Sequence, residues 1–175
     1  MSKLMVGIIF ICLVSFFYIG SLIFVLIKIN KLKKIEKTRF FKNKQLLITF
    51  YILSYLITPV LLGLLVGLIT YIASLDSNNI PDSYFYGFQA SYLIYVIYVL
   101  AIILIGTKLY KTMYIVEANN CYYFLDNVVI SKENIVTITN NLKRSYLIIS
   151  YNNNNFREAY QLKYSWKLKD FFDEK

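Results

Sequence analysis

The residues able to do chemistry are few in this chain, and their spacing does not assemble them. There is no histidine among its 175 residues, which removes the Ser-His-Asp triad, the Cys-His dyad and the mixed Cys/His zinc site together. The two cysteines, Cys12 and Cys121, cannot make a four-thiolate site. Glu117, Asp126, Glu133 and Glu158 each stand alone in sequence, and Asp170, Asp173 and Glu174 crowd one helix end where solvent is expected to meet them. No glycine-rich phosphate loop or nucleophile elbow occurs. The expectation is a protein that is not an enzyme, with no cofactor and no metal, working by binding or occlusion.

Three groups of residues could bind something. The first is the basic run Lys28, Lys31, Lys33, Lys34, Lys37, Arg39, Lys42 and Lys44, opposed by Glu36 alone. Such a run next to apolar segments sets membrane topology and offers a contact to anionic lipid at the cytoplasmic face. With a membrane already beside it and no recognition fold in view, nucleic acid is not an expected partner. The second group is Gly63 and Gly67, a small-xxx-small pair expected to pack against a neighbouring helix, with self-association through that face as the alternative. The third is Tyr92, Tyr95 and Tyr98, which with Gln89 and Ser91 form a polar-tipped stripe, joined by Tyr51 and Tyr55 on the preceding helix. A hydroxyl in an apolar setting needs a partner, so these tyrosines should face other helices, or else line a surface for a ligand or peptide.

The elements that would position these groups follow from where the apolar residues sit. Hydrophobic residues make up 58% of the chain and charged ones 17%, against about 45–50% and about 25% in a soluble domain. The excess lies in three runs without charge, 4–27, 46–75 and 84–106. Each exceeds the roughly 20 residues that cross a bilayer as a helix. The first is too long for a signal-peptide core and is read as a retained helix. Pro59 predicts a kink near residues 55–59. The spans carry no Asp, Glu, Lys or Arg, which argues against a pore, proton relay or ion-coupled transport. The segment 28–45 carries eight bases, whereas Asp76 and Asp82 make the second connection acidic. The positive-inside rule then puts the N-terminus outside and segment 28–45 with the C-terminus in the cytoplasm, where thiols stay reduced.

Residues 107–175 read differently. Short β-branched and aromatic runs at 112–118, 121–125, 128–130, 135–139, 145–151 and 156–162 are separated by Asn119 and Asn120, Asp126 and Asn127, Asn140 and Asn141, and Asn152 to Asn155. Asn tolerates left-handed backbone, so these are turn signals between antiparallel strands. Ile135, Thr137 and Thr139 alternate with Val136 and Ile138, predicting one buried and one exposed face. At 165–173 Ser165 can cap a helix that aligns Leu168, Phe171 and Phe172 on one side, able to cover the sheet.

The stretches NIVTI at 134–138, YLIISY at 146–151 and YQL at 160–162, followed by a closing helix behind three apolar segments, resemble the YcxB-like group of small bacterial membrane proteins with a cytosolic PH-like domain. The expected fold is therefore a membrane protein: a transmembrane region over 1–106 with a basic cytoplasmic loop at 28–45, then a small antiparallel β-rich, PH-like domain over 107–175 ending in a helix. The preference for Lys over Arg, with abundant Asn, Ile, Tyr and Phe, suggests an AT-rich bacterial genome. What the resemblance implies for function is immunity to a membrane-active peptide such as a bacteriocin, in the cell membrane. The alternatives are an accessory subunit of a membrane transporter or envelope complex, and a membrane-disrupting defence effector with a β sensor domain. A peptide or membrane-protein partner and homo-oligomerisation are both open at this level.

Overall fold

The computed structural model describes residues 2–75, 81–141, 143, 145–153 and 156–173. Most of the acidic connection, including Asp76, lies outside the described residues, as do Asn154 and Asn155 of the Asn-rich turn and Glu174. The chain forms two compact units, Met1–Phe24 with Ile48–Gly106, and Val25–Leu47 with Thr107–Lys175.

Among the described residues three helices are long and apolar enough to cross a membrane: Leu4–Lys33, Lys44–Ser74 and Asp82–Gly106. The first lies in helix α1 (Ser2–Lys33). The second is continuous through α2 (Lys44–Tyr51), a π-helical segment Ile52–Ile57 and α3 (Thr58–Ser74). The third lies in α4 (Asp82–Leu109). Inside the helical unit, Ile11, Val14 and Tyr18 of α1, Leu65 and Ile72 of α3, and Phe88, Tyr95 and Val99 of α4 form one buried cluster. Their spacings of three, four and seven residues are those of one helix face. Outside that seam the helices stay apolar: Phe16, Leu64, Ile94, Ile97 and Leu104 are all exposed. A helix that is apolar all round needs an apolar surrounding, which a bilayer supplies.

The expected kink is a change of helix register. The amide of Thr58 bonds the carbonyl of Leu53, five residues back, just before Pro59 removes the next donor. In this register the carbonyl of Ser54 would be met by the amide of residue 59, which proline lacks. The Tyr18 hydroxyl donates to that carbonyl instead, at 3.1 Å.

Among the described residues the second unit holds seven strands in two antiparallel sheets. One has the order β1 (Arg39–Lys42), β2 (Tyr114–Ala118), β3 (Cys121–Phe124), β4 (Val129–Ser131), and the other β5 (Ile135–Asn140), β6 (Tyr146–Asn153), β7 (Phe156–Lys163). Helix α5 (Trp166–Asp173) follows, and its Ser165 side chain accepts from the Leu168 amide at 3.2 Å. Phe41, Ile115, Phe124 and Ile130 of the first sheet, Leu147, Ile149 and Leu162 of the second, and Leu168, Phe171 and Phe172 of α5 share one core. Asn119, Asn120 and Asn127 all have positive φ, at 49°, 60° and 69°, as the turn chemistry requires.

Two features depart from the sequence reading. Segment 28–45 is not a loop: α1 continues through Lys33, Arg39–Lys42 pairs with β2, and helix resumes at Lys44. Phe41 is the reason the strand docks, since it enters the core while Phe40 stays exposed on the other face. The regular alternation predicted for 135–139 is broken by a bulge between Ile135 and Thr137. Ile135 and Ile138, which the simple alternation puts on opposite faces, both pack on the core, and Val136 is exposed.

Candidate functional site

Tyr95 and Tyr98 face other helices, whereas Tyr51 and Tyr55 are exposed and their rings meet each other, with centroids 5.7 Å apart. Tyr95 is buried and its hydroxyl pairs with the Ser15 hydroxyl at 2.8 Å. Tyr98 donates to the carbonyl of Leu53 at 3.1 Å, within the π-helical segment. The hydroxyl of Thr58 lies 2.8 Å from that same carbonyl and 3.2 Å from the Tyr18 hydroxyl, dividing one proton between them. Tyr18 on α1 thus supplies a donor where Pro59 removes one, which is how an apolar bundle tolerates irregular backbone, and Tyr98 on α4 adds a donor to a carbonyl that the Thr58 amide already meets. Tyr92 packs beside Phe88, with ring centroids 5.5 Å apart. Tyr18, the most connected of these residues, was not singled out from sequence, because nothing local to it distinguishes it from other tyrosines.

The glycines exchange roles. A Cβ at Gly63 or Gly67 would meet nothing within 4 Å among the described residues, so this pair makes no close packing contact there with a neighbouring helix. Close approach occurs at Gly7, where a Cβ would lie 2.5 Å from Cε1 of Phe88 and 3.0 Å from Cδ1 of Tyr92. Between α3 and α4 runs a groove of about 330 Å³, lined by Leu61, Leu64, Leu65 and Leu68 on one side and Ser91, Ile94 and Tyr95 on the other. Its lining is largely apolar.

The basic residues are distributed over three elements. Lys28, Lys31 and Lys33 ride on α1, Lys34 and Lys37 follow it, Arg39 and Lys42 belong to β1, and Lys44 opens α2. Two of them turn toward aromatic groups of the β unit. The Lys37 ammonium lies 4.9 Å from the Phe40 ring and 3.4 Å from the Tyr114 hydroxyl, and the Arg39 guanidinium lies 5.2 Å from the Phe171 ring. Lys42 and Lys44 instead border a cleft of about 510 Å³ with Phe40, Ser165, Trp166 and Lys167. Sequence reasoning joined Lys42 and Lys44 to the basic run but missed Lys167 and Trp166, which only the packing of α5 beside β1 brings to them.

The acids of the β unit are each engaged separately. Glu117 is buried and bonds the Lys132 ammonium at 2.6 Å, which holds that lysine above its ordinary range; its other carboxylate oxygen has no hydrogen-bond partner among the described residues. Asp126 accepts from the Tyr160 hydroxyl at 2.8 Å and pairs with Lys111 at 3.1 Å, joining the β3–β4 turn to β7. Burial, and then this carboxylate, push the Tyr160 phenol well up. Glu133 accepts from the Asn120 amide at 3.0 Å. Glu158 accepts from Tyr151 and Asn153, which lower its carboxyl below the usual range. Each of these contacts ties one strand or turn to another and serves the fold. No group of three or more Asp, Glu or Cys able to hold a metal forms among the described residues.

No protein-family model matches this chain, and no curated protein and no solved structure matches it either.

Proposed function

We propose that this chain is a multi-pass protein of the bacterial cell membrane, N-terminus outside and C-terminus in the cytoplasm, that protects its own cell against a membrane-active peptide. It acts by binding or occlusion, without chemistry of its own. The observation that carries this reading is the groove between α3 and α4. Leucines form one wall and Ile94 stands on the other beside Ser91, whose hydroxyl donates to the Gly87 carbonyl of its own helix, a lining suited to an apolar helical peptide within the bilayer. The orientation rests on the basic run, whose residues belong to the same compact unit as the strands. Seven strands in two sheets with a closing helix support reading that unit as PH-like.

Expression in a peptide-sensitive host tests the proposal. Wild-type protein should raise the killing concentration, and Leu64→Trp, which fills the groove from an exposed position, should abolish that gain at equal protein level. An unchanged killing curve with wild-type protein across the membrane-active peptides tried would sink it. A reporter fused after residue 173 that proved extracellular would sink the orientation.

The open Gly63 and Gly67 face favours a second reading, an accessory subunit that holds a partner helix there. Under it a membrane protein co-purifies with the wild type and is lost from Gly63→Leu, while protection from peptides is absent.

A further inference from the structure

The cleft between β1 and α5 has a chemistry of its own. Lys42 and Lys44 meet Lys167 across it, and no acid lines it among the described residues. Two large aromatic side chains stand at its rim in water: Phe40 is 52% exposed and Trp166 64%. The Lys167 ammonium lies 5.1 Å from the centre of the Trp166 ring, so charge and ring present a joint surface. Lys44 is also the first residue of the helix Lys44–Ser74, which is long and apolar enough to cross a membrane. Lys44 thus lines the cleft two residues before the uncharged run of that helix begins at Leu46. A lysine-lined cleft rimmed by exposed aromatics at such a place matches the headgroup layer, where ammonium groups meet phosphate and amphipathic rings settle at the acyl boundary.

We propose that this cleft seats the phosphate headgroup of an anionic phospholipid. Lys42, Lys44 and Lys167 neutralise the phosphate, and Phe40 and Trp166 enter the headgroup–acyl boundary. The site narrows the general attraction of a basic segment to a particular pocket and adds residues from the far end of the chain. It rests on the membrane reading above but not on the peptide partner.

Trp166 is the single tryptophan of the protein and reports on its own site. The full chain is reconstituted in nanodiscs of phosphatidylcholine with increasing phosphatidylglycerol, and Trp166 emission is followed with brominated forms of either lipid. The expected result is a blue shift, with quenching several-fold stronger by brominated phosphatidylglycerol than by brominated phosphatidylcholine. Lys167→Gln, on the exposed surface of α5 and outside the topology-setting run, should weaken that preference roughly fivefold, the scale of one base at an anionic surface. Lys42→Gln should do the same. Equal quenching by the two lipids, or a Lys167→Gln protein indistinguishable from wild type, overturns the proposal. So does the same blue shift from soluble glycerol phosphate over pure phosphatidylcholine, which would make the ligand a free anion. Resistance to alkaline carbonate extraction separates the two levels. A chain that integrates while Trp166 ignores lipid charge sinks the site alone, and a chain that does not integrate sinks both.

Discussion

The Tyr18 hydroxyl is the most consequential single atom group in the helical unit, and removing it tests why the bundle carries tyrosines at all. Tyr18→Phe keeps the ring in its buried place and deletes one donor to the Ser54 carbonyl and one acceptor for Thr58. The carbonyl loses its substitute for the amide that Pro59 lacks. An orphaned buried acceptor costs about 1–3 kcal/mol, whereas side-chain hydrogen bonds in membrane bundles average about 0.6 and reach about 1.7 kcal/mol. A loss of about 1–2 kcal/mol is therefore expected for Tyr18→Phe. Tyr98→Phe should cost less, about 0.6 kcal/mol or under, because the Leu53 carbonyl keeps the Thr58 amide and has the Thr58 hydroxyl beside it. The assay is unfolding in mixed micelles, with helicity followed by circular dichroism as dodecyl sulfate replaces a mild detergent. Pro59→Ala sharpens it by restoring an amide at position 59. In that background the cost of Tyr18→Phe should fall by half or more. Equal costs for the two tyrosines, or an undiminished cost of Tyr18→Phe in the alanine background, would refute the reasoning.

Other consequences follow from the same contacts. Gly7→Ala should destabilise the helical unit by about 1–3 kcal/mol through overpacking against Phe88, while Gly63→Ala should be neutral or slightly stabilising; the same micelle titration compares them. Phe41→Ala should cost the β unit about 3–5 kcal/mol, read by denaturation followed through Trp166 fluorescence, and an unchanged midpoint would mean that β1 is not part of that core. For pH, the Glu158 carboxyl is lowered in the fold from its ordinary 4.5 by the Tyr151 hydroxyl and the Asn153 amide. Its contribution is thus present above that ordinary value and is lost as pH falls through the lowered one. The Tyr151 phenol, pushed up to about 12 chiefly by its hydrogen bond to Glu158, contributes below its ordinary 10.0 and loses that contribution as pH rises through about 12. Tyr151→Phe should flatten the acid limb of a stability–pH curve, and superimposable curves would count against this pairing.

Much of the architecture is written in local patterns, and these the sequence determined by itself. Three uncharged runs make helices long and apolar enough to cross a membrane, since length and hydropathy are summed over neighbours in the chain. Asn119, Asn120 and Asn127 mark turns because their short amides tolerate left-handed backbone, and Ser165 caps α5 because its oxygen reaches an amide three residues on. The tertiary structure decided the rest, and in each case the deciding partner is distant in sequence. Arg39–Lys42 is a four-residue strand inside a charged segment, with too few residues to show a period. It becomes a strand because β2 offers an edge and the core a place for Phe41. The bulge after Ile135 exists because Ile135 and Ile138 are both wanted on one side, a demand set by the core and not by alternation. Gly7 and not Gly63 carries the close helix contact, although Gly63 has the more familiar spacing, because the position of the Phe88 ring selects the glycine. The cleft obeys the same rule. Lys42 and Lys44 show their charge in any reading of the chain, but the cleft forms only when folding sets Trp166 and Lys167 against them. Hydropathy and turn preference act between neighbours, whereas strand pairing, close packing and a shared pocket depend on contacts that exist only after distant segments have met.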